Sequence, residues 1–393
     1  MDVDLPPEDD PRRIEVRAWF EEHPAPTPRE LVERGFVVPH WPKPYGLDAD
    51  PALQLIIEDE MRRAGVSKPT NPIGIGHCGP ILVALANDAQ KDRYLWPMLA
   101  AEEMWCQLFS EPGAGSDLAN LNTRAVRDGD VYVVNGQKIW TSLAEIAKFG
   151  ILIARTRSDV SKHRGISYFI IPMDLPGIEI RPIRNMTGGA GFNEVFFTDV
   201  KVPVENLIGE EHLGWGMAKT TLANERVSLS TGGGLQWGYG PSARDLVAQA
   251  KANGGVPNKL IRQRLMDAYI EGEILRYHRM RMISAAVNKK PGPDASLRKA
   301  LADPHGKTVF GLAKDMMGAH GMLDNDGGLG PEWEPWIRGF LFSPALTVGG
   351  GTSEVLRNII SERLQGLPHD LDVEQGKTFA ESGGNTVGTS QPA

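Results

Sequence analysis

Three stretches of this sequence carry residue types whose spacing could do chemistry. In "TVGGGTSEVLRNII", residues 347–360, the glycines Gly349, Gly350 and Gly351 run into Thr352-Ser353-Glu354. Such a loop bares its backbone just before a helix, where free N–H groups and the positive dipole end converge on a ligand. A triglycine by itself is more often only a turn. In "QLFSEPGAGSDLANL", residues 107–121, Ser110, Gly113, Gly115 and Ser116 supply hydroxyls and close-approach backbone. That equipment suits a polar ring edge and a diphosphate. The third stretch, "TLANERVSL" at 221–229, sets Glu225 beside Arg226 on a helical pattern. Taken alone, such a pair is a solvated face.

Elements of two periods must position these residues. Residues 1–105 form a first zone whose EVRAWFEEH, PRELVERG and LQLIIEDEMRRAG place apolar residues at helical steps. The three prolines of PHWPKPYG, residues 39–46, make that stretch a loop. From 106 to 215 the period falls to two, as in a small antiparallel β domain. Asp128-Gly129 and Asn135-Gly136 are turn signals flanking a strand Val131–Val134, and Asn-Gly is a hairpin cue. GILIAR, ISYFIIP, GIEIRPI and EVFFTDVKV are further strands. The helical period returns over 216–368, with helices expected at about 216–250, 258–289, 295–320 and 351–365, enough for a four-helix bundle. Leu265, Ala268, Tyr269, Gly272 and Leu275 make one stripe. Residues 369–393 read as a disordered tail. Helices and strands are segregated, so the class is α+β.

Composition excludes several functions. The net charge of −8, with no Lys/Arg-rich block, argues against a nucleic-acid partner. No apolar run approaches the roughly 18 residues of a membrane span. The acidic, Pro-rich start MDVDLPPEDDPRR is the opposite of a targeting peptide. The only cysteines, Cys78 and Cys106, are not spaced as metal ligands or a redox pair and read as buried thiols. No metal is expected, and the location expected is the cytoplasm.

Four motifs in fixed order carry a resemblance. They are S-E-P-G-A-G-S-D from Ser110, N-G-Q-K-I-W-T-S at 135–142, F-T-D-V-K-V-P-V-E-N at 197–206 and G-G-G-T-S-E-x-x-R-N at 349–358. Over about residues 11–367 the chain resembles the acyl-CoA dehydrogenase family. The resemblance implies an N-terminal helical domain, a middle β domain and a C-terminal four-helix bundle. It implies FAD as cofactor and oxidation of an acyl-CoA thioester to the trans-2-enoyl-CoA. By position, Leu108 and Ser110 would lie at the flavin pyrimidine edge and Gly115 and Ser116 near the diphosphate. Trp140 would pack on the isoalloxazine, with the Ser142 hydroxyl near the hydride-accepting N5. Thr352 and Glu354 would also contact the cofactor. Two departures stand out. The family's glycine-rich segment from a neighbouring subunit is reduced to Asp315-x-x-Gly318-Ala319-x-Gly321, with Asp where Gln is usual. The Arg-x-x-Phe-Gly element is absent, and residues 249–261 read QAKANGGVPNKLI instead.

The resemblance also locates a general base. In much of the family a Glu immediately precedes Gly-Thr-Ser; here that position is Gly350, which has no side chain. A minority of members place the Glu on the first C-terminal helix, followed by Arg, and Glu225-Arg226 matches them. The resemblance thus makes Glu225 the α-proton base, Arg226 its orienting neighbour and the Gly350 N–H a donor to the thioester carbonyl. Two alternatives stay open: a flavin monooxygenase on the same fold, which Glu225 disfavours, and a half-site or non-catalytic subunit of a heterotetramer. The chain looks like actinobacterial members acting in β-oxidation of steroid side chains or other bulky acyl groups. Its expected partners are acyl-CoA, an electron-transfer flavoprotein, and either its own copies or a related chain in a tetramer.

Overall fold

The computed structural model describes residues 6–230, 234–287, 294–322, 333–371 and 374–384. They form two units, with the boundary inside one helix between Asn224 and Glu225.

The first unit gathers Asp4–Asn185, Ala190–Asn224 and the chain from Leu371. It begins with α1 (Pro11–Glu22), α2 (Pro28–Glu33), α3 (Pro51–Arg63), α4 (Gly79–Leu85) and α5 (Asp88–Leu99). Local chemistry explains where these helices start. Thr27 with Glu30, and Asn87 with Gln90, close reciprocal capping boxes, while Asp10 and Asp50 accept first-turn N–H bonds. Buried Glu60 on α3 holds Arg13 at 2.7 Å and Arg17 at 2.9 Å on α1. The 39–46 stretch is a loop, as its prolines require.

The sheet contains β1 (Trp105–Leu108), β2 (Arg124–Asp128), β3 (Val131–Ser142), β4 (Phe149–Arg155), β5 (Ile166–Pro172), β6 (Ile178–Ile183), β7 (Phe192–Pro203) and β8 (Leu207–Ile208). Their order is β6-β7-β3-β2-β4-β5-β8, with β1 also paired to β4. Most pairings are antiparallel, but β1 and β2 both run parallel to β4, meeting it at Phe149–Leu152 and at Arg155 respectively. The SEPGAGSD loop therefore leaves the sheet where β1 ends and returns where β2 begins, along one edge of β4.

Asp128-Gly129 turns β2 into β3 as expected, whereas Asn135-Gly136 does not make a hairpin. It sits inside β3 at a register shift against β7. Asn135 exchanges two side-chain bonds of 3.0 Å with Asp199, and a Cβ at Gly136 would stand 2.4 Å from Thr123 Oγ1. The glycine is needed for close approach rather than for a turn.

The expected disordered tail is a second correction. Residues 374–384 return to this unit: Phe379 N–H donates to Val160 O at 2.7 Å, and Ala380 N–H to Ser158 O at 3.0 Å. The Phe379 ring is fully buried with the Arg155 guanidinium 3.8 Å from its centroid. One aromatic anchor and two backbone bonds outweigh the polar composition that suggested disorder. Residues 385–393 lie outside the described residues. Phe379→Ala should weaken this docking by about 3–5 kcal/mol. Limited proteolysis should then cut between 371 and 384 far faster than in the wild type; unchanged protection would contradict the anchor.

The second unit is Glu225–Asp370 with Met186–Gly189. The helix α6 (Gly214–Ser230) ends in it, followed by α7 (Ala243–Ala252), α8 (Lys259–Val287), α9 (Asp294–Met317), α10 (Glu334–Phe342) and α11 (Ser353–Arg363). The single helix expected over 216–250 is thus two. Gly234, Gly238, Gly240 and Pro241 fall between them, and Gly234 pairs with Gly238 and Gln236 with Tyr239 in a tight turn. A Cβ at Gly234 would meet Tyr239 O at 2.0 Å, so no helix former fits there. The short helix α10 was not expected. The α8 stripe faces inward: Leu265 and Ala268 are buried in one cluster with Val309, Phe310 and Ala313 of α9, Leu275 is buried further along, and Tyr269 and Gly272 are half-buried. No helix among the described residues is long and apolar enough to cross a membrane.

Candidate active site

In the first unit the site is built on the loop between β1 and β2. Leu108 is wholly buried, so only its main chain can face a ligand, and half-buried Ser110 follows it. Glu111 and Ala114 exchange backbone bonds of 3.0 Å, which folds the S-E-P-G-A turn tightly. Gly113, Gly115 and Ser116 are exposed, and a Cβ at either glycine would meet nothing within 4 Å.

The loop is fastened by an ion pair that motif reading missed. Glu111, 8% exposed, accepts from Lys138 Nζ at 2.8 Å, Asn122 N–H at 2.6 Å and Thr123 N–H at 2.9 Å. Lys138 is fully buried and also donates to Phe109 O at 2.9 Å. Burial pushes the Glu111 carboxyl up, but Lys138 and the surrounding donors outweigh it and hold the carboxyl below its ordinary value. Both residues stood inside quoted motifs, S-E-P and Q-K-I. Nothing local showed that they would meet across the sheet.

The same fastening brings the second motif alongside. Ile139 N–H donates to Ser110 O at 2.9 Å, which places Trp140 and Ser142 beside the loop. Trp140 has φ 61°, in the left-handed region, at a second register shift of β3 against β7. A non-glycine residue there is strained, and such outliers cluster at functional sites. The bulge turns the indole outward, leaving it 57% exposed with Phe192 edge-on at 6.0 Å. Ser142, two residues on, is half-buried opposite Phe192.

In the second unit the glycine loop has a distinct job at each position. A Cβ at Gly349 would stand 2.7 Å from the Trp237 ring, so this glycine makes room for an indole. Gly350 at φ 68° and Gly351 at φ 103° take backbone that side chains resist. A Cβ at Gly351 would lie 3.8 Å from Arg226 Nε. Glu225 and Arg226 are both half-buried near the end of α6, and Arg226 lies against the glycine loop. Burial lowers the Arg226 guanidinium below its ordinary value while the Glu225 charge opposes that shift. Thr352 caps α11 by accepting the Val355 N–H at 3.2 Å, and Glu354 is exposed in its first turn.

The remaining candidates lie elsewhere in this unit. Gly318 takes φ 58° where α9 ends, and a Cβ at Gly321 would meet Lys314 O at 2.7 Å. Both glycines thus serve the chain's own turn. Asp315 is exposed and pairs with Arg264 at 2.8 Å.

The first-unit residues fit a flavin. An outward indole on a strained bulge, a hydroxyl two residues along and open glycines beside them form an edge for a flat ring and its phosphates. Family comparisons agree. The models of the acyl-CoA dehydrogenase N-terminal, middle and C-terminal domains match residues 9–102, 106–200 and 212–365. Acyl-CoA dehydrogenase IpdE1 of Mycobacterium tuberculosis is 38% identical over 91% of this chain and 89% of its own. Acyl-CoA dehydrogenase FadE34 of the same organism is also 38% identical over 86% of this chain, which spans only 45% of that larger protein. The solved Tcur3481-Tcur3483 steroid ACAD superposes with a TM-score of 0.76 at 30% identity, covering 94% of this chain and 100% of that one. With helical, sheet and helical regions matched in this order, the chain belongs to the acyl-CoA dehydrogenase family, whose members are FAD-dependent flavoproteins.

Proposed function

We propose that the protein dehydrogenates an acyl-CoA thioester between C2 and C3, with Glu225 as base. One observation carries the reading. Position 350, where much of the family has its glutamate, is a left-handed glycine, and Arg226, next to Glu225, lies against the adjoining glycine. Glu225 takes the α-proton, and Arg226 orients it and balances its charge. The Gly350 N–H polarises the thioester carbonyl, which gains negative charge as the proton leaves. FAD, when bound, supplies the hydride acceptor for the β-hydrogen. Trp140, Ser142, Ser110 and the backbone around Leu108, Gly115 and Ser116 would hold it. By family position, Thr352, Glu354, Gly318 and Gly321 are further candidates for cofactor contact. An electron-transfer flavoprotein would be the partner that reoxidises the cofactor.

A bulky or ring-bearing acyl group is favoured, and the support comes from the similarity to a steroid enzyme. Space freed at Gly349 does not support it, because Trp237 fills that flank. A second reading, a half-site subunit completed by a related chain, is favoured by Asp315. It stands where the family's interface glutamine is usual, and it is engaged with Arg264. The solved relative likewise joins two named components.

The test is the visible spectrum of the purified protein, titrated anaerobically with butyryl-CoA and with ring-bearing acyl-CoAs. Flavin bands are expected, with partial occupancy in the absence of a partner chain. Bleaching should be faster with the bulky thioester. A fully flavin-loaded protein that no thioester bleaches would reject dehydrogenation, and a clear preference for butyryl-CoA would reject the bulky acyl group.

A further inference from the structure

Between α7, the middle of α8 and the first half of α9, the helical unit encloses a cavity of about 230 Å³. Five cations line it, Arg244, Arg276, Arg279, Arg298 and Lys299, against two carboxylates, Glu273 and Asp303. Glu273 already accepts from Arg244 and Arg276 at 2.8 Å each, and Asp303 from Lys299. Among the described lining residues, cations thus outnumber carboxylates. Arg298, Lys299 and Asp303 are at most 8% exposed and set the inner end of this wall, while Arg244, Arg276 and Arg279 are exposed at its rim. Burial lowers the Arg298 guanidinium, and the neighbouring Arg279 charge lowers it further. Two like charges brought together at a cavity wall are where an anion gains most.

Two further features describe the ligand. Trp237 lines the cavity and carries a buried indole N–H with no acceptor among the described residues. Buried donors are rarely left so, which calls for an acceptor from outside the chain. Leu235, Leu275 and the Trp237 ring supply apolar wall. Asp303 and Glu273 would repel a dianionic phosphate, whereas a planar monoanion matches guanidinium forks.

We propose that this cavity binds a carboxylate carried on a compact apolar body. Two sources share that chemistry. One is a free carboxylic acid. The other is the distal carboxylate of an acyl-CoA, an assignment that rests on the function proposed above. The cavity shares a wall with the glycine loop. The Trp237 ring stands 2.7 Å from where a Cβ at Gly349 would be, and Lys299 Nζ donates to Leu346 O at 3.2 Å.

The experiment uses the full, flavin-loaded chain in two arms. Calorimetric titration compares cyclohexanecarboxylate, its neutral carboxamide and inorganic phosphate. The acid should bind at least about 10-fold tighter than the amide, as one charge-assisted contact allows, and phosphate should not displace it. Arg279 is exposed, so Arg279→Gln should fold normally and remove most of that preference. Equal binding of acid and amide, tighter binding of phosphate, or an unaltered preference in Arg279→Gln would overturn the proposal. The second arm compares flavin reduction by adipoyl-CoA and by its monomethyl ester. A lower KM for the free acid that Arg279→Gln abolishes assigns the site to the substrate. Equal KM values alongside binding of the free acid assign it to a separate acid. Failure of every thioester to reduce the flavin would remove the proposed reaction and leave the calorimetric result standing.

Discussion

Glu225→Gln is expected to slow flavin reduction by substrate by ~10²–10⁴-fold, the loss that follows removal of a general base. Glutamine keeps the shape and most hydrogen bonding of the side chain but cannot accept the α-proton. FAD content and thioester affinity should therefore stay near wild type, and stopped-flow bleaching isolates the missing step. Adding Gly350→Glu to this variant returns a carboxylate to the family's commoner position. Its rescue should be partial, because Gly350 holds φ 68°, a region that costs a side-chain-bearing residue about 1–2 kcal/mol. Near-normal reduction in Glu225→Gln alone would reject the assignment and leave a base supplied by a partner chain as the better account.

Lys138→Met is expected to destabilise the sheet-bearing unit by about 3–5 kcal/mol at neutral pH, since it strands a buried carboxylate. The pH dependence gives a specific signature. In the wild type the Glu111 carboxyl lies below its ordinary value, so its contribution is present above about pH 4.5 and is lost as pH falls through the lowered value. Without Lys138, burial dominates and the carboxyl rises instead. The variant should therefore recover stability as pH is lowered from 7.5 towards 5, where the wild type gains nothing. Urea denaturation at the two pH values checks this. Glu111→Gln in the Lys138→Met background should restore much of the loss at pH 7.5. Equal destabilisation at both pH values would mean that Lys138 acts through packing alone.

What the sequence by itself determined is local in its physics. Helices followed from apolar periodicity, and the caps found at Thr27, Asn87 and Thr352, whose side chains bond the next turn, are equally local. Strands followed from alternation, and the order of helical, sheet and helical zones followed from both. The four motifs were enough to name the family and the edge at Ser110 and Trp140. The tertiary structure decided whatever depended on a distant partner. Asn135-Gly136 became a bulge because Asp199 of β7 lies across from it. The segment near 379 became ordered because Arg155 offers Phe379 a buried face. Gly349 turned out to accommodate Trp237, a residue from a turn that the helical period had read straight through. Glu111 and Lys138 lie 27 positions apart, and only the sheet register brings them into contact. A cap or an alternation depends on neighbours within a turn or two of the chain. A bulge, a docked tail or a buried ion pair depends on which surface arrives from elsewhere, and short-range patterning does not specify that surface.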